Sequence, residues 1–385
     1  MERRTWNHEE KTSRFLFVNQ FVPPDPAPTA RLLGEVAEEL QGRGHEAMLV
    51  GDRIDYRGAK TLLGSRALRE ARSLLRLLGK MLTTPRADVI VCLTSPPMLP
   101  WVAYLARIRH RGAKLIHWAM DLYPDVAVAL GEVRKESFLH RVTRRLMQQV
   151  YRNCQLVIAL DREMARRIGS DPVECRIAPP WPPPVSTSKA PSKTTKEEGT
   201  FTWLYSGNLG RAHEWRTLLE AQARLEAEGI PAVLVFQGEG TEIPAARRFA
   251  STLDLKRCLW RPYANDEELL PSLLEAGALV VTQKPATAGC LWPSKLALAL
   301  QTGRPILWVG ETDGGIAESL QEAGQGVFAP GESASLAENV ARLVHHPSSG
   351  GDDLPDVVAR VKSVRESGIR RVADWCEEVG RLGKW

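Results

Sequence analysis

Two successive series of short apolar runs, each run followed by a helical pattern, constrain this chain more than any other feature. The first series is RFLFVNQ (14–20), HEAMLV (45–50), DVIVCL (88–93), KLIHW (114–118) and QLVIA (155–159). The second is FTWLYS (201–206), PAVLVFQ (231–237), ALVVT (278–282) and PILWV (305–309). Strands alternating with helices predict parallel sheets covered on both faces. Between the series lies PPWPPPVSTSKAPSKTTKEEGT (179–200), nearly free of aliphatic residues, which reads as a linker. A length of 385 residues fits two cores of roughly 180 residues each.

The expected division is a flexible start (1–13), a Rossmann-like domain (14–180), a linker (181–200) and a second Rossmann-like domain (201–354). A helical segment (355–385) follows, with the apolar stripe Val357, Val361, Val364, Ile369, Val372 and Trp375, suited to packing across both domains. The fold class is α/β, two doubly wound domains facing a central cleft. Open sheets of this kind bind ligands outside the carboxyl ends of their strands.

Other classes are excluded by what is missing. The net charge of +5 is only mildly basic, and no aromatic-basic signature accompanies it, so no nucleic acid is expected as partner. Six cysteines without a C-x-x-C pair suit a reducing compartment and argue against a zinc site. The polar opening MERRTWNHEEKTSR has no signal-peptide core, and no apolar run approaches the ~20 residues of a membrane span. A cytoplasmic location is expected.

Two stretches carry chemistry. In LYSGNLGRAHEWRTLL (204–219) a strand runs into a glycine turn and then a helix expected from about His213. Glycines admit a ligand close to the backbone, and helix-start amides favour an anion. Arg211 could grip a phosphate in two places, with His213 donating beside it. The competing reading is a tight turn with a solvated arginine. In AGCLWPSKLALALQTGRPILWVG (288–310), Pro293 suits a first helical turn, where Ser294 and Lys295 meet free backbone donors. A lysine there opposes the helix dipole, which favours a diphosphate clamp over a simple cap.

These stretches, with QGEG (237–240) and HWAMDLYPDVAVALG (117–131), resemble retaining GT-B glycosyltransferases of glycosyltransferase family 4, in particular the bacterial exopolysaccharide and O-antigen branch. RFLFVNQFVPPDPAPTARLLGEVAEELQGRGHEAMLV is similar to the amino-terminal strand–loop–helix–strand of that branch, and the likeness covers about residues 14–350. The resemblance implies a nucleotide-diphospho-sugar, UDP-linked, held mainly on the second domain, with the acceptor facing the first. It places Gly207, Asn208, Arg211, His213, Ser294 and Lys295 at the donor diphosphate. Gln237 and Gly238, with Arg261 and Tyr263 of the segment after the third strand of that domain, fall near the nucleoside. Neither metal nor cofactor is implied, because cationic side chains and helix dipoles neutralise the leaving diphosphate. The implied activity is hexosyl or N-acetylhexosaminyl transfer with retention, to a glycan or polyprenyl-diphosphate-linked acceptor in surface-polysaccharide assembly. A sugar-nucleotide 2-epimerase and a non-catalytic, glycosyltransferase-like partner subunit are the alternatives.

The chain departs from the family pattern at two glutamates. The ribose-binding one, five residues before the Gly-x-Pro glycine, falls at Leu298, and its earlier partner falls at Cys290. Losing a ribose acceptor costs ~1–3 kcal/mol of donor binding if nothing replaces it. The lysine usual after the turn arginine is also missing, with Arg216 nearest. On the acceptor side, Asp25 either contacts hydroxyls or caps its loop. Asp121 either binds a sugar hydroxyl and relays a proton or caps a helix, and together with Lys295 it is the catalytic candidate. His117 shares that stretch, although its place within a strand pattern also suits a core histidine. Most tryptophans fall in strand patterns, whereas Trp181 and Trp292 are better placed to meet a ligand.

Finally, TLLGSRALREARSLLRLLGKML (61–82) and HRVTRRLMQQVYR (140–152) read as basic amphipathic helices. They could rest on anionic lipid at the inner face of the cytoplasmic membrane, or present solvated basic faces.

Overall fold

The structure, a computed structural model, describes residues 12–52, 66–169, 174–185, 200–346 and 352–382. Most of the expected linker and flexible start, and the first residues of the basic stretch at 61–82, lie outside them.

The first domain runs β1 (Arg14–Val18), α1 (Pro28–Gly42), β2 (Glu46–Val50), α2 (Arg66–Thr83), β3 (Val89–Cys92), α3 (Leu99–Ala106) and β4 (Lys114–Trp118). It continues with α4 (Asp125–Ala129), α5 (Phe138–Asn153), β5 (Leu156–Ala159), α6 (Arg162–Ile168) and β6 (Cys175–Ile177). All six strands are parallel, in the order β2-β1-β3-β4-β5-β6. The central strands are buried along their whole length, as apolar runs without alternation require. On one face α3 packs between α2 and α5.

The second domain runs β7 (Phe201–Ser206), α7 (Arg216–Ala227), β8 (Ala232–Gln237), α8 (Ile243–Thr252), β9 (Cys258–Arg261), α9 (Asp266–Glu275) and β10 (Ala278–Thr282). Then come α10 (Lys295–Ala299), β11 (Ile306–Val309), α11 (Gly315–Glu322), β12 (Gly326–Phe328) and α12 (Ser333–His345). Its sheet is again parallel, ordered β12-β11-β10-β7-β8-β9. The chain builds outward from β7 to β9, then crosses back to β10, so the order of winding reverses between β7 and β10. That is the switch point where a doubly wound sheet opens a crevice.

The last helix, α13 (Leu354–Arg381), places Val357 and Val361 in the core of the second domain and Val372, Ala373, Cys376 and Val379 in that of the first. Trp181 is buried against Trp118, with ring centroids 5.7 Å apart, and its indole donates to Glu35. It is a core residue rather than a ligand platform. Trp292 packs on the cores of both domains and so belongs to their interface.

Candidate active site

The crevice between β7 and β10 is built from two interlocked glycine turns. Gly207 N–H donates to the Gln237 carbonyl (2.8 Å) and Leu209 N–H to the Glu239 carbonyl (2.7 Å), while Glu242 N–H returns to Leu209 (3.0 Å). Gly238 has φ +140°, and a Cβ there would overlap the Gly207 carbonyl oxygen. A side chain at this position is excluded both by backbone conformation and by space. The Tyr263 ring, half exposed, lies over Gly238, with Cε1 3.1 Å from where a Cβ would be. Gln237 is buried, and its amide donates to Ser206 (3.1 Å) and Ser272 (3.0 Å), so it braces the turns from beneath. Arg261 ends β9, exposed, and its carbonyl receives Gly238 N–H (2.9 Å).

Lys295 reaches under this turn, its Cε 3.2 Å from the Cβ position of Gly207. Its ammonium lies 3.8 Å from the centroid of the Tyr205 ring and donates to the Tyr205 hydroxyl. Burial pushes its pKa well down, and among the described residues no carboxylate lies within ion-pairing distance. His213 closes the pocket edge-on to Tyr205, 5.9 Å between centroids. Its Nδ1–H donates to the Thr282 carbonyl (2.7 Å), and burial, with Lys295 nearby, holds its pKa down at about 3. The ring is therefore neutral with its one N–H committed. His213 is not the phosphate donor that the sequence implied.

Two other expectations change here. α7 begins at Arg216 rather than near His213, because the His213 ring is drawn under β10 and Lys284 N–H ties to Ala212 (2.7 Å). The turn amides at Gly207 and Leu209 are already used by the neighbouring turn. Helix α10 has only five residues, and exposed Ser294 makes no capping bond from its side chain. Positive charge at the crevice thus comes from Lys295 itself more than from helix starts. Arg211 does not join Lys295. Its guanidinium donates across to Glu132 (3.2 Å) and to the Leu130 carbonyl, both on the first domain. Exposed Asn208 stands at the tip of the turn.

Residues 29–181 match the family described as glycosyl transferase 4-like domain. The chain is 23% identical to a probable glycosyltransferase, WbjE of Pseudomonas aeruginosa, over 83% of its own length and 86% of that protein. Among solved structures it resembles WaaG, a glycosyltransferase involved in lipopolysaccharide biosynthesis. The TM-score is 0.62 at 18% identity, covering 94% of this chain and 98% of that one. HepE of Anabaena in complex with UDP-glucose gives a TM-score of 0.61 at 16% identity, covering 95% and 98%. The chain has the GT-B fold of these structures and carries a glycosyl transferase 4-like domain over residues 29–181.

The first domain brings its own segment to the loop that carries Lys295. Asp121 follows β4 and forms an antiparallel bridge with Leu291, beside a bond from Leu122 N–H to the Cys290 carbonyl (2.7 Å). The loop carrying those partners continues into Lys295, so Asp121 and the lysine are approached from one segment. Thr94 was not anticipated. Its hydroxyl accepts from Met120 N–H (2.9 Å) and Asp121 N–H (3.3 Å) and fixes the turn that presents Asp121. Burial raises the Asp121 carboxyl to about 6.

Several sequence candidates are set aside by the structure. His117 is 1% exposed in β4, bonded through Nδ1 to the Cys92 carbonyl (3.0 Å) and stacked on Tyr151, so it is a core residue and not an acceptor contact. Asp25 accepts from Ala27 N–H (2.8 Å) just before α1, which is loop capping. Leu298 and Cys290 are both buried, Leu298 within the apolar core of the second domain, and cannot replace the glutamates at a ribose. Arg216 lies over Phe249, 4.2 Å from its centroid, away from the crevice.

Proposed function

We propose that the protein is a glycosyltransferase that moves a hexosyl or N-acetylhexosaminyl group from a UDP-sugar to a glycan or polyprenyl-diphosphate-linked acceptor, with retention, in surface-polysaccharide assembly. The observation that carries the reading is Lys295, a part-buried amine without a carboxylate partner among the described residues, at the switch point of the second sheet. Burying an uncompensated charge is costly, and a bound diphosphate supplies the missing anion. The likeness to HepE in complex with UDP-glucose supports the donor class. The likeness to WaaG supports the polysaccharide context.

In this scheme the bond from the anomeric carbon to the diphosphate breaks as Lys295 stabilises the departing oxygen. The acceptor hydroxyl bonds to the same face, and its proton passes to the leaving phosphate. Asp121 orients that hydroxyl from the opposite wall. No metal takes part, because the ammonium supplies the charge.

The acceptor side supports a lipid-linked substrate. Phe138 (78% exposed), Ile108 (75%) and Leu75 (69%) are the most exposed large apolar side chains among the described residues, on α5, just after α3 and on α2 respectively. The same helices and the turn after α3 carry exposed Arg72, Arg141, Arg144, Arg145 and Arg111. Exposed apolar side chains on elements rich in arginine suit an anionic bilayer surface. Among the described residues no helix is long and apolar enough to cross one.

A non-catalytic partner subunit is the second reading, favoured by the buried apolar Leu298 and Cys290. Calorimetric titration with UDP and GDP, followed by an assay for released nucleotide in the presence of lipid-linked acceptors, tests both. UDP binding weakened by about 1.5–3 kcal/mol in Lys295→Met, with wild-type turnover and a retained anomer by NMR, is expected. Absence of nucleotide binding to the wild type rejects the donor site, and an inverted product rejects retention.

A further inference from the structure

Tyr205 had no role in the sequence reading, yet it touches every part of the crevice floor. Its hydroxyl donates to the Asn208 carbonyl (2.9 Å), in the tip of the glycine turn. With that proton committed, the phenolic oxygen can only accept from Lys295. The same residue presents its ring face to the ammonium, 3.8 Å from the centroid. The ring is itself immobile, fully buried between Phe236 (5.6 Å) and His213 (5.9 Å). Phe236 is stacked in turn on Trp260 at 4.5 Å.

A lysine stem has four rotatable bonds, and ordering it costs conformational entropy. Here one rigid aromatic fixes the ammonium with two contacts of different geometry. We propose that Tyr205 is a positioning residue, holding the Lys295 ammonium at the donor diphosphate and coupling it to the glycine turn through the Asn208 carbonyl. This rests on the donor site proposed above. The turn and the lysine sit on different elements, nearly ninety residues apart, and Tyr205 joins them into one preformed anion cradle.

UDP affinity measured by calorimetry in the wild type, Tyr205→Phe, Lys295→Met and the double variant decides the matter, with thermal unfolding checked for each. Tyr205→Phe keeps the ring and removes only the hydroxyl. It is expected to weaken UDP about five- to tenfold, and to have no further effect in the Lys295→Met background. An equal loss in both backgrounds overturns the coupling. Acylation of the Lys295 amine, followed by mass spectrometry across pH, reads the same geometry without donor. Labelling at least about threefold faster in Tyr205→Phe than in the wild type is expected, and an unchanged rate and pH midpoint overturn the proposal. If the wild type binds no UDP, the donor site and this proposal fall together, whereas UDP binding with additive losses removes only the role of Tyr205.

Discussion

Arg211, on the second domain, is held by Glu132 of the first at 3.2 Å, with a further bond to the Leu130 carbonyl. The two side chains are 79 residues apart and close the cleft across its mouth. The cation that the sequence assigned to the donor diphosphate is thus occupied by an internal carboxylate. A diphosphate carries more charge than one glutamate, so donor binding is expected to draw Arg211 away.

Glu132→Gln should therefore tighten UDP binding. Arg211 is about half exposed, and exposed ion pairs contribute ~0.2–1 kcal/mol, so the gain is about two- to fivefold. Calorimetry at low and high salt checks this, and the advantage should shrink as salt weakens the ion pair in the wild type.

Lys295→Met should separate stability from binding. Removing a part-buried ammonium that has no carboxylate partner among the described residues stabilises the empty protein, while loss of a charged hydrogen bond weakens UDP by about 1.5–3 kcal/mol. Because the folded-state pKa of Lys295 lies below its unfolded value, the unfolded chain holds the extra proton in the window between them. Wild-type stability therefore rises with pH through that window. The thermal advantage of Lys295→Met should be largest below it and fade as pH approaches the ordinary lysine range, which melting curves from pH 6 to 10 would show.

The long buried strands and the glycine turns were legible because period and punctuation are local. Strands β6 and β12 have three residues each, too few for a pattern to emerge. The site was harder to read. Tyr205 occupies a buried strand position that nothing local distinguishes from the core tryptophan two residues before it. Glu132 and Thr94 act through partners on other elements, which no spacing reveals. His117 and Asp25 sat beside plausible motifs but were taken by core packing and by loop capping, uses that only tertiary contacts decide.

Gly238→Ala should damage the second domain. Its φ of +140° and the Gly207 carbonyl both oppose a methyl group, so a loss above about 2 kcal/mol is expected. Gly79, inside α2 with nothing within 4 Å of its Cβ position, is the control. Gly79→Ala should stabilise by ~0.5–1 kcal/mol. Urea unfolding of both variants gives the comparison.

Asp121→Asn tests the first-domain wall by pH. Burial lifts the carboxyl to about 6, above its ordinary value, so folding is favoured while it is protonated and that contribution is lost as pH rises through about 6. The asparagine variant should be more stable than the wild type at pH 8, by up to about 3 kcal/mol, and no more stable below pH 4. If the carboxylate orients the acceptor, wild-type turnover should fall below about pH 6 and the variant should lose that dependence. An unchanged profile would leave Asp121 a structural residue.

The exposed apolar layer gives the last prediction. Leu75 and Phe138 stand on α2 and α5, flanking α3, and neither contributes to the core of its domain. Replacing both with aspartate should leave the melting temperature within about 2 °C, as exposed positions tolerate polar substitution. Partition onto anionic vesicles should fall at least tenfold, since two buried apolar contacts are lost and two negative charges face a negative surface. Binding of UDP, in the other domain, should not change. Wild-type protein that fails to sediment with anionic vesicles at low salt would instead assign this layer to water, and the lipid-linked acceptor would lose its structural support.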